Sequence, residues 1–309
     1  MSLDTLIEKI IEKQNPTVAG LDPKLEYIPR FLREESYAKY GKTLEGAADA
    51  VLRFHRALID ELVPIVPAIK PQCAYYEALG WPGMRALAQT IEYARERGLF
   101  VITDGKRNDI GTTMEAYANA HLGKTDVDGE RLTPFAGDAL TVNAYLGSDG
   151  IKPLLGLCKQ EDKGIFVLVK TSNPSSGELQ DQQLKNGKSV YYQMGVMCEQ
   201  WGEQLPGAYV YSGVGAVVGA TYPEQLRELR IEFPHTFFLV PGYGAQGGGA
   251  DDVAPAFDAS GLGAVVNASR SILCAWQKEN APEREFAKAA AREAVRMRDA
   301  ITTRIGRIG

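Results

Sequence analysis

Short β-branched and aromatic runs recur along the chain, each closing on a polar residue, a glycine or a proline. They are Thr17–Leu21 before Asp22, Val66–Ile69 before Lys70, Leu99–Thr103 before Asp104 and Ala139–Val142 before Asn143. Gly164–Val169 before Lys170, Val214–Val218 before Gly219, Phe237–Val240 before Pro241 and Ala264–Val266 before Asn267 complete the series. Near-continuous apolar runs of this length are what strands buried on both faces require. Helical spacing fills the intervals, as in Leu44–Leu62, Met84–Arg97, Tyr191–Leu205 and Pro223–Phe233. Eight strands alternating with helices predict an α/β fold with a parallel sheet. The count and the length favour a closed TIM (β/α)8 barrel over an open doubly wound sheet. In a barrel the C-terminal strand ends, and so their polar residues, form the active face.

The expected organisation is a single domain over residues 1–309, with a barrel core at about 14–275 and a C-terminal helix at about 282–303. In Pro282–Thr303, Phe286, Ala290, Ala294, Met297 and Ile301 fall on one stripe, with Arg284, Lys288, Arg292 and Arg296 on another. That is an amphipathic helix packed on the barrel exterior. The opening MSLDTLIEKIIEKQ also has apolar residues at helical spacing, and it lacks the apolar stretch of a signal peptide. Two insertions interrupt the alternation, charged and aromatic Pro23–Lys42 and polar Asn173–Ser189. The second follows a strand and reads equally as a lid over the active face or as a solvated loop.

Composition narrows the functional classes. Hydrophobic residues make up 45% of the 309 and charged residues 24%, enough for a sizeable core. The net charge of −5, without a dense basic block, argues against nucleic acid as a partner. No run is long enough for a membrane span. Cys73, Cys158, Cys198 and Cys274 are scattered, which suits buried thiols in a reducing compartment rather than a zinc ribbon or a disulfide framework. His55, His121 and His235 lie away from the strand ends and read as packing or surface residues, so no metal is expected. A soluble cytoplasmic protein is the expectation.

The densest chemistry is Asp104-Gly105-Lys106-Arg107-Asn108-Asp109-Ile110 after the third strand. Side chains two apart on a strand share a face, so Asp104 and Lys106 point the same way. An ammonium held between acids is a general acid or a cationic stabiliser rather than a free-amine nucleophile. Lys70 would add a second cation at the same rim, and a solvated salt-bridge patch is the alternative. Gly242-Tyr243-Gly244-Ala245-Gln246-Gly247 matches GxGxxG, but it follows the seventh strand rather than the first. That is where a barrel builds its phosphate site, and Arg270 after the eighth strand can grip a phosphate in bidentate fashion. A tight turn and a dinucleotide loop are the competing readings. Gly213–Ala220 reads as strand and turn geometry, and no G-x-S-x-G elbow is present.

Together these residues resemble the orotidine 5′-phosphate decarboxylase family, in particular its longer bacterial subgroup. Asp104 to Ile110 is similar to that family's D-x-K-x-x-D-I signature, with companions in Asp22, Lys70, the Pro241–Gly247 loop and Ser269-Arg270-Ser271. The resemblance implies a homodimeric barrel that converts orotidine 5′-phosphate to UMP and carbon dioxide without metal or cofactor. It implies a charged tetrad of Lys70, Asp104, Lys106 and Asp109, with Asp109 and Thr113 reaching across the dimer interface. It also implies that Asp22 and Lys70 hold ribose hydroxyls, Ser172 the pyrimidine, and Gln246 and Arg270 the phosphate, with Asn143 a further polar strand end. The chain departs from the pattern at Pro71-Gln72, where many members have valine and glycine, and at Ser269, where many have glycine. Two rivals remain. One is a metal-dependent sugar-phosphate lyase, which would carry an acidic ligand where Lys70 stands; the other is a non-catalytic phosphate-binding barrel.

Overall fold

A computed structural model describes residues 2–244 and 247–309. Eight parallel strands close into a barrel in chain order: β1 Thr17–Leu21, β2 Ala68–Pro71, β3 Phe100–Arg107, β4 Ala139–Val142, β5 Gly164–Lys170, β6 Val214–Val218, β7 Phe238–Val240 and β8 Ala264–Ala268. β1 closes the ring by pairing with both β2 and β8. The predicted strand positions hold to within a few residues. The largest shift is β3, which runs on through the charged cluster to Arg107.

Strand alternation divides the core in two. Val18, Ala68, Phe100, Ile102, Phe166 and Val265 face the barrel interior. Their neighbours Ala19, Ile69, Val101, Ile165, Val167 and Val266 face the surrounding helices. The interior is closed at the N-terminal end of the strands by the helix Ser2–Lys13, whose Leu3, Leu6, Ile7 and Ile10 are fully buried against it. Asp4 anchors this plug by accepting backbone N–H groups of Ala208 and Tyr209 at 3.0 and 3.4 Å. The opposite, C-terminal end is left open.

Outside, the helix Leu44–Leu62 starts at Thr43, whose Oγ1 accepts the Gly46 N–H at 3.2 Å. It packs against Gly80–Glu96 and the last helix, Phe286–Ile305, with Phe54 and Phe286 rings 5.1 Å apart. The predicted stripe Phe286, Ala290, Ala294, Met297 and Ile301 is buried there. A 3-10 turn, Glu283–Glu285, delays this helix to Phe286. The basic stripe is partly neutralised, since Arg292 pairs with Glu279 and Arg296 with Glu293.

The first insertion folds into a 3-10 turn, Leu25–Tyr27, and a helix, Arg30–Tyr40. An antiparallel hairpin that the apolar pattern does not reveal pairs Thr125–Val127 with Glu130–Leu132. Its turn residues Asp128 and Gly129 both take positive φ, the conformation a two-residue hairpin turn demands. Cys73, Cys158 and Cys198 are buried free thiols, and Cys274 is half-buried and free. Among the described residues no helix is long and apolar enough to cross a membrane.

Candidate active site

The open end of the barrel holds a cavity of about 620 Å³, within the usual size of small-molecule sites. Asp104 lies at its floor, near the end of β3, and accepts four hydrogen bonds. Lys70 Nζ donates to Oδ2 at 2.5 Å and Gln72 Nε2 to the same oxygen at 3.0 Å. Lys106 Nζ donates to Oδ1 at 2.6 Å and Thr141 Oγ1 at 2.8 Å. Burial on its own would raise this carboxyl. The two ammoniums and their hydrogen bonds outweigh it and hold Asp104 well below the usual carboxylate range. Burial likewise disfavours the Lys70 ammonium, but Asp104 and Asp22 raise it above its ordinary value.

The two lysines are not equivalent. Lys70 is almost fully enclosed, whereas the Lys106 side chain is 45% exposed, so Lys106 is the more open of the two to a ligand in the cavity. Its position does not follow from strand alternation alone. β3 and β4 slip in register between Thr103 and Arg107, and Lys106 has φ +47°. A side-chain-bearing residue in this left-handed region costs on the order of 1–3 kcal/mol. Two contacts hold it there: its N–H donates to Thr141 Oγ1 at 3.0 Å, and its ammonium to Asp104.

Asp22, Ser172 and Arg270 line the same cavity, as do Asn267, Ser269 and Gln180. Asp22 Oδ1 and Asn267 Oδ1 are buried without a hydrogen-bond partner among the described residues, two acceptors suited to hydroxyl donors. Ser269 fits because β1 carries Gly20 beside it: a Cβ there would lie 2.0 Å from Ser269 Oγ and 2.9 Å from Asn267 Oδ1. The glycine loop after β7 turns at Gly242, Gly244 and Gly247, all at positive φ. Gln246 lies outside the described residues.

Three predicted residues do not line this cavity. Asp109 is half-buried beyond the strand end, its Oδ1 accepting the Ile110 N–H at 2.8 Å. Thr113 is exposed on the helix Gly111–His121. Asn143 is exposed, and its Oδ1 accepts the Tyr145 N–H at 3.0 Å, a local turn. The residues that sequence reasoning missed are Gln72 and Thr141, which complete the shell of Asp104, and Gln180 of the second insertion. Gln72 is one of the two departures noted after Lys70, which marks it in hindsight. Thr141 lies two residues before the noted Asn143 and points inward from the same strand. The histidines stand apart, as expected: burial holds His55 down to about 3 and His121 to about 4.

A closed (β/α)8 barrel with a polar, charge-lined cavity at its C-terminal mouth defines an enzyme of the TIM-barrel class. Residues 47–284 match the model of the orotidine 5′-phosphate decarboxylase / HUMPS family, and the chain belongs to that family. The orotidine 5′-phosphate decarboxylase of Rhodopirellula baltica is 47% identical over 281 residues, covering 91% of this chain and 89% of that one. That of Caldicellulosiruptor bescii is 40% identical, covering 89% and 90%. Among solved structures, the OMP decarboxylase of Leishmania donovani superposes with a TM-score of 0.70 at 29% identity, covering 97% of this chain and 99% of that one.

Proposed function

We propose that this protein decarboxylates orotidine 5′-phosphate to UMP, using its own fixed charges in place of a metal or cofactor. The observation that carries this is Asp104 held between Lys70 and Lys106 at the floor of a nucleotide-sized cavity that Arg270 and the glycine loop border. Breaking the bond between C6 and the carboxylate leaves an electron pair in the plane of the ring, where no π-system can absorb it. A cation fixed in advance is then the available stabiliser. Lys106 supplies that charge and passes one N–H proton to C6, and its amine recovers a proton from solvent. Asp104 sits beside the departing carboxylate and raises the energy of the bound substrate relative to released carbon dioxide.

The remaining residues bind. Asp22 and Lys70 hold the ribose hydroxyls, Ser172 the pyrimidine, and Arg270 with Gln246 the phosphate. That phosphate grip, remote from the reacting bond, supplies binding energy to orient the ring. Asp109 and Thr113 serve the site of a second copy of the chain. Their position outside their own cavity supports this, as do Ile110 and Tyr145, both at least half exposed in the segments that follow β3 and β4. Asn143 belongs to the second of these segments.

A metal-dependent reaction at this floor is disfavoured by the residues present, because a divalent cation at Asp104 would meet two ammoniums already in contact with it. The test is the fall in absorbance when orotidine 5′-phosphate is added in the presence of a chelator. Steady loss with stoichiometric UMP is the expected result. UMP binding without decarboxylation would indicate a non-catalytic barrel, and turnover abolished by the chelator would indicate the metal-dependent alternative.

A further inference from the structure

One buried charge takes no part in this chemistry. Lys170, the last residue of β5, has a side chain with no exposed surface, and it lies outside the cavity lining. β5 and β6 slip in register between Leu168 and Lys170. Leu168 therefore lines the cavity while Lys170 turns away from it. An ammonium removed from water needs acceptors, and those of Lys170 come from the second insertion. Its Nζ donates to Asp181 Oδ1 at 2.6 Å and to Ser176 Oγ at 3.2 Å, and it lies 4.3 Å from the centre of the Tyr222 ring.

The same contacts fix the path of residues 171–181. Ser176 Oγ donates to the Tyr222 hydroxyl at 3.1 Å, and that hydroxyl donates to the Asn173 carbonyl at 3.3 Å. Thr221 Oγ1 donates to the Ser172 carbonyl at 3.2 Å. Gly177 lets Asp181 come close, since a Cβ there would lie 2.8 Å from Asp181 Oδ2. Next to Asp181, Gln180 grips Thr171 twice: its Oε1 accepts the Thr171 N–H at 2.9 Å and its Nε2 donates to Thr171 Oγ1 at 2.7 Å. Thr171, Ser172, Asn173 and Gln180 all line the cavity.

We propose that Lys170 and Asp181 are positioning residues, a clamp anchored on the buried Lys170 ammonium that holds the Thr171–Asn173 edge and Gln180 against the base end of the ligand. The inference rests on the nucleotide reading above. It separates two halves of the ligand, because the clamp acts on the segment carrying Ser172 and not on Arg270 or the glycine loop.

The test uses Asp181→Asn, which keeps the shape and removes the charge at an exposed partner, with Asp181→Glu as the charge-restoring control. Binding of UMP and of ribose 5-phosphate, which lacks the base, is measured by calorimetry, alongside turnover of orotidine 5′-phosphate. Asp181→Asn is expected to lower UMP affinity and kcat/KM by about tenfold or more, the scale of a small displacement of binding groups. Ribose 5-phosphate affinity should stay within about twofold, and Asp181→Glu should recover much of the loss. Hydrogen exchange at the amides of residues 171–181 should quicken in Asp181→Asn. Equal weakening of both ligands, or unchanged exchange, would overturn the clamp. If the unaltered protein binds UMP but does not decarboxylate, while Asp181→Asn still weakens UMP selectively, the reaction is wrong and the clamp stands.

Discussion

Replacing Lys106 by alanine separates binding from chemistry. The fold should tolerate the change, because Asp104 keeps Lys70, Gln72 and Thr141 as partners. Alanine at φ +47° also takes on no more backbone strain than the lysine already carries. The loss in rate has two sources. A unit charge about 4 Å from a developing carbanion, at an effective dielectric of about 20, is worth about 4 kcal/mol, or roughly 10³ in rate. Loss of the proton donor removes a further factor of about 10² to 10⁴. The two overlap, since one group performs both, so the expected fall in kcat is at least about 10⁴-fold. The assay is the absorbance change on decarboxylation, paired with calorimetric titration of UMP, whose affinity should move only a few-fold. Turnover within about tenfold of the unaltered enzyme would refute the role assigned to this ammonium.

Other outcomes follow from the same site and from the core. Arg270→Ala should raise KM for orotidine 5′-phosphate by about tenfold or more, through the lost phosphate grip; an unaltered KM would count against the phosphate assignment. His55 and His121 remain neutral in the fold down to about pH 3 and 4, while in the unfolded chain they take up protons near 6.5. Their contribution is therefore intact above about pH 6.5 and erodes as the pH falls toward 4, by about 1.4 kcal/mol per pH unit for each histidine. Urea unfolding at pH 7, 6 and 5 measures this slope, and His121→Gln should roughly halve it; an unchanged slope would refute the assignment.

Much of the barrel was legible because its strands are buried on both faces, so Thr17–Leu21, Ala139–Val142 and Val214–Val218 appear as unbroken apolar runs with the observed boundaries. The hairpin Thr125–Leu132 escaped because its residues are exposed and carry no burial pattern, although the Asp128-Gly129 pair was a turn signal in plain view. At the site, the pairing of Asp104 with Lys106 was legible from their spacing, but the left-handed backbone that seats Lys106 was not, since it depends on Thr141 from the next strand. Lys170 illustrates the limit most clearly. A lysine at a strand end reads as a rim cation, and only the course of the loop beyond it turns the charge inward to Asp181.

The helix plugging the lower end of the barrel has a kinetic consequence. With Leu3, Leu6, Ile7 and Ile10 packed against the interior side chains, the lower end offers the cavity no passage among the described residues, and exchange runs through the C-terminal mouth. Incoming nucleotide, outgoing nucleotide and the released gas share that mouth. A bound product therefore bars the next substrate, and inhibition by UMP should be strictly competitive.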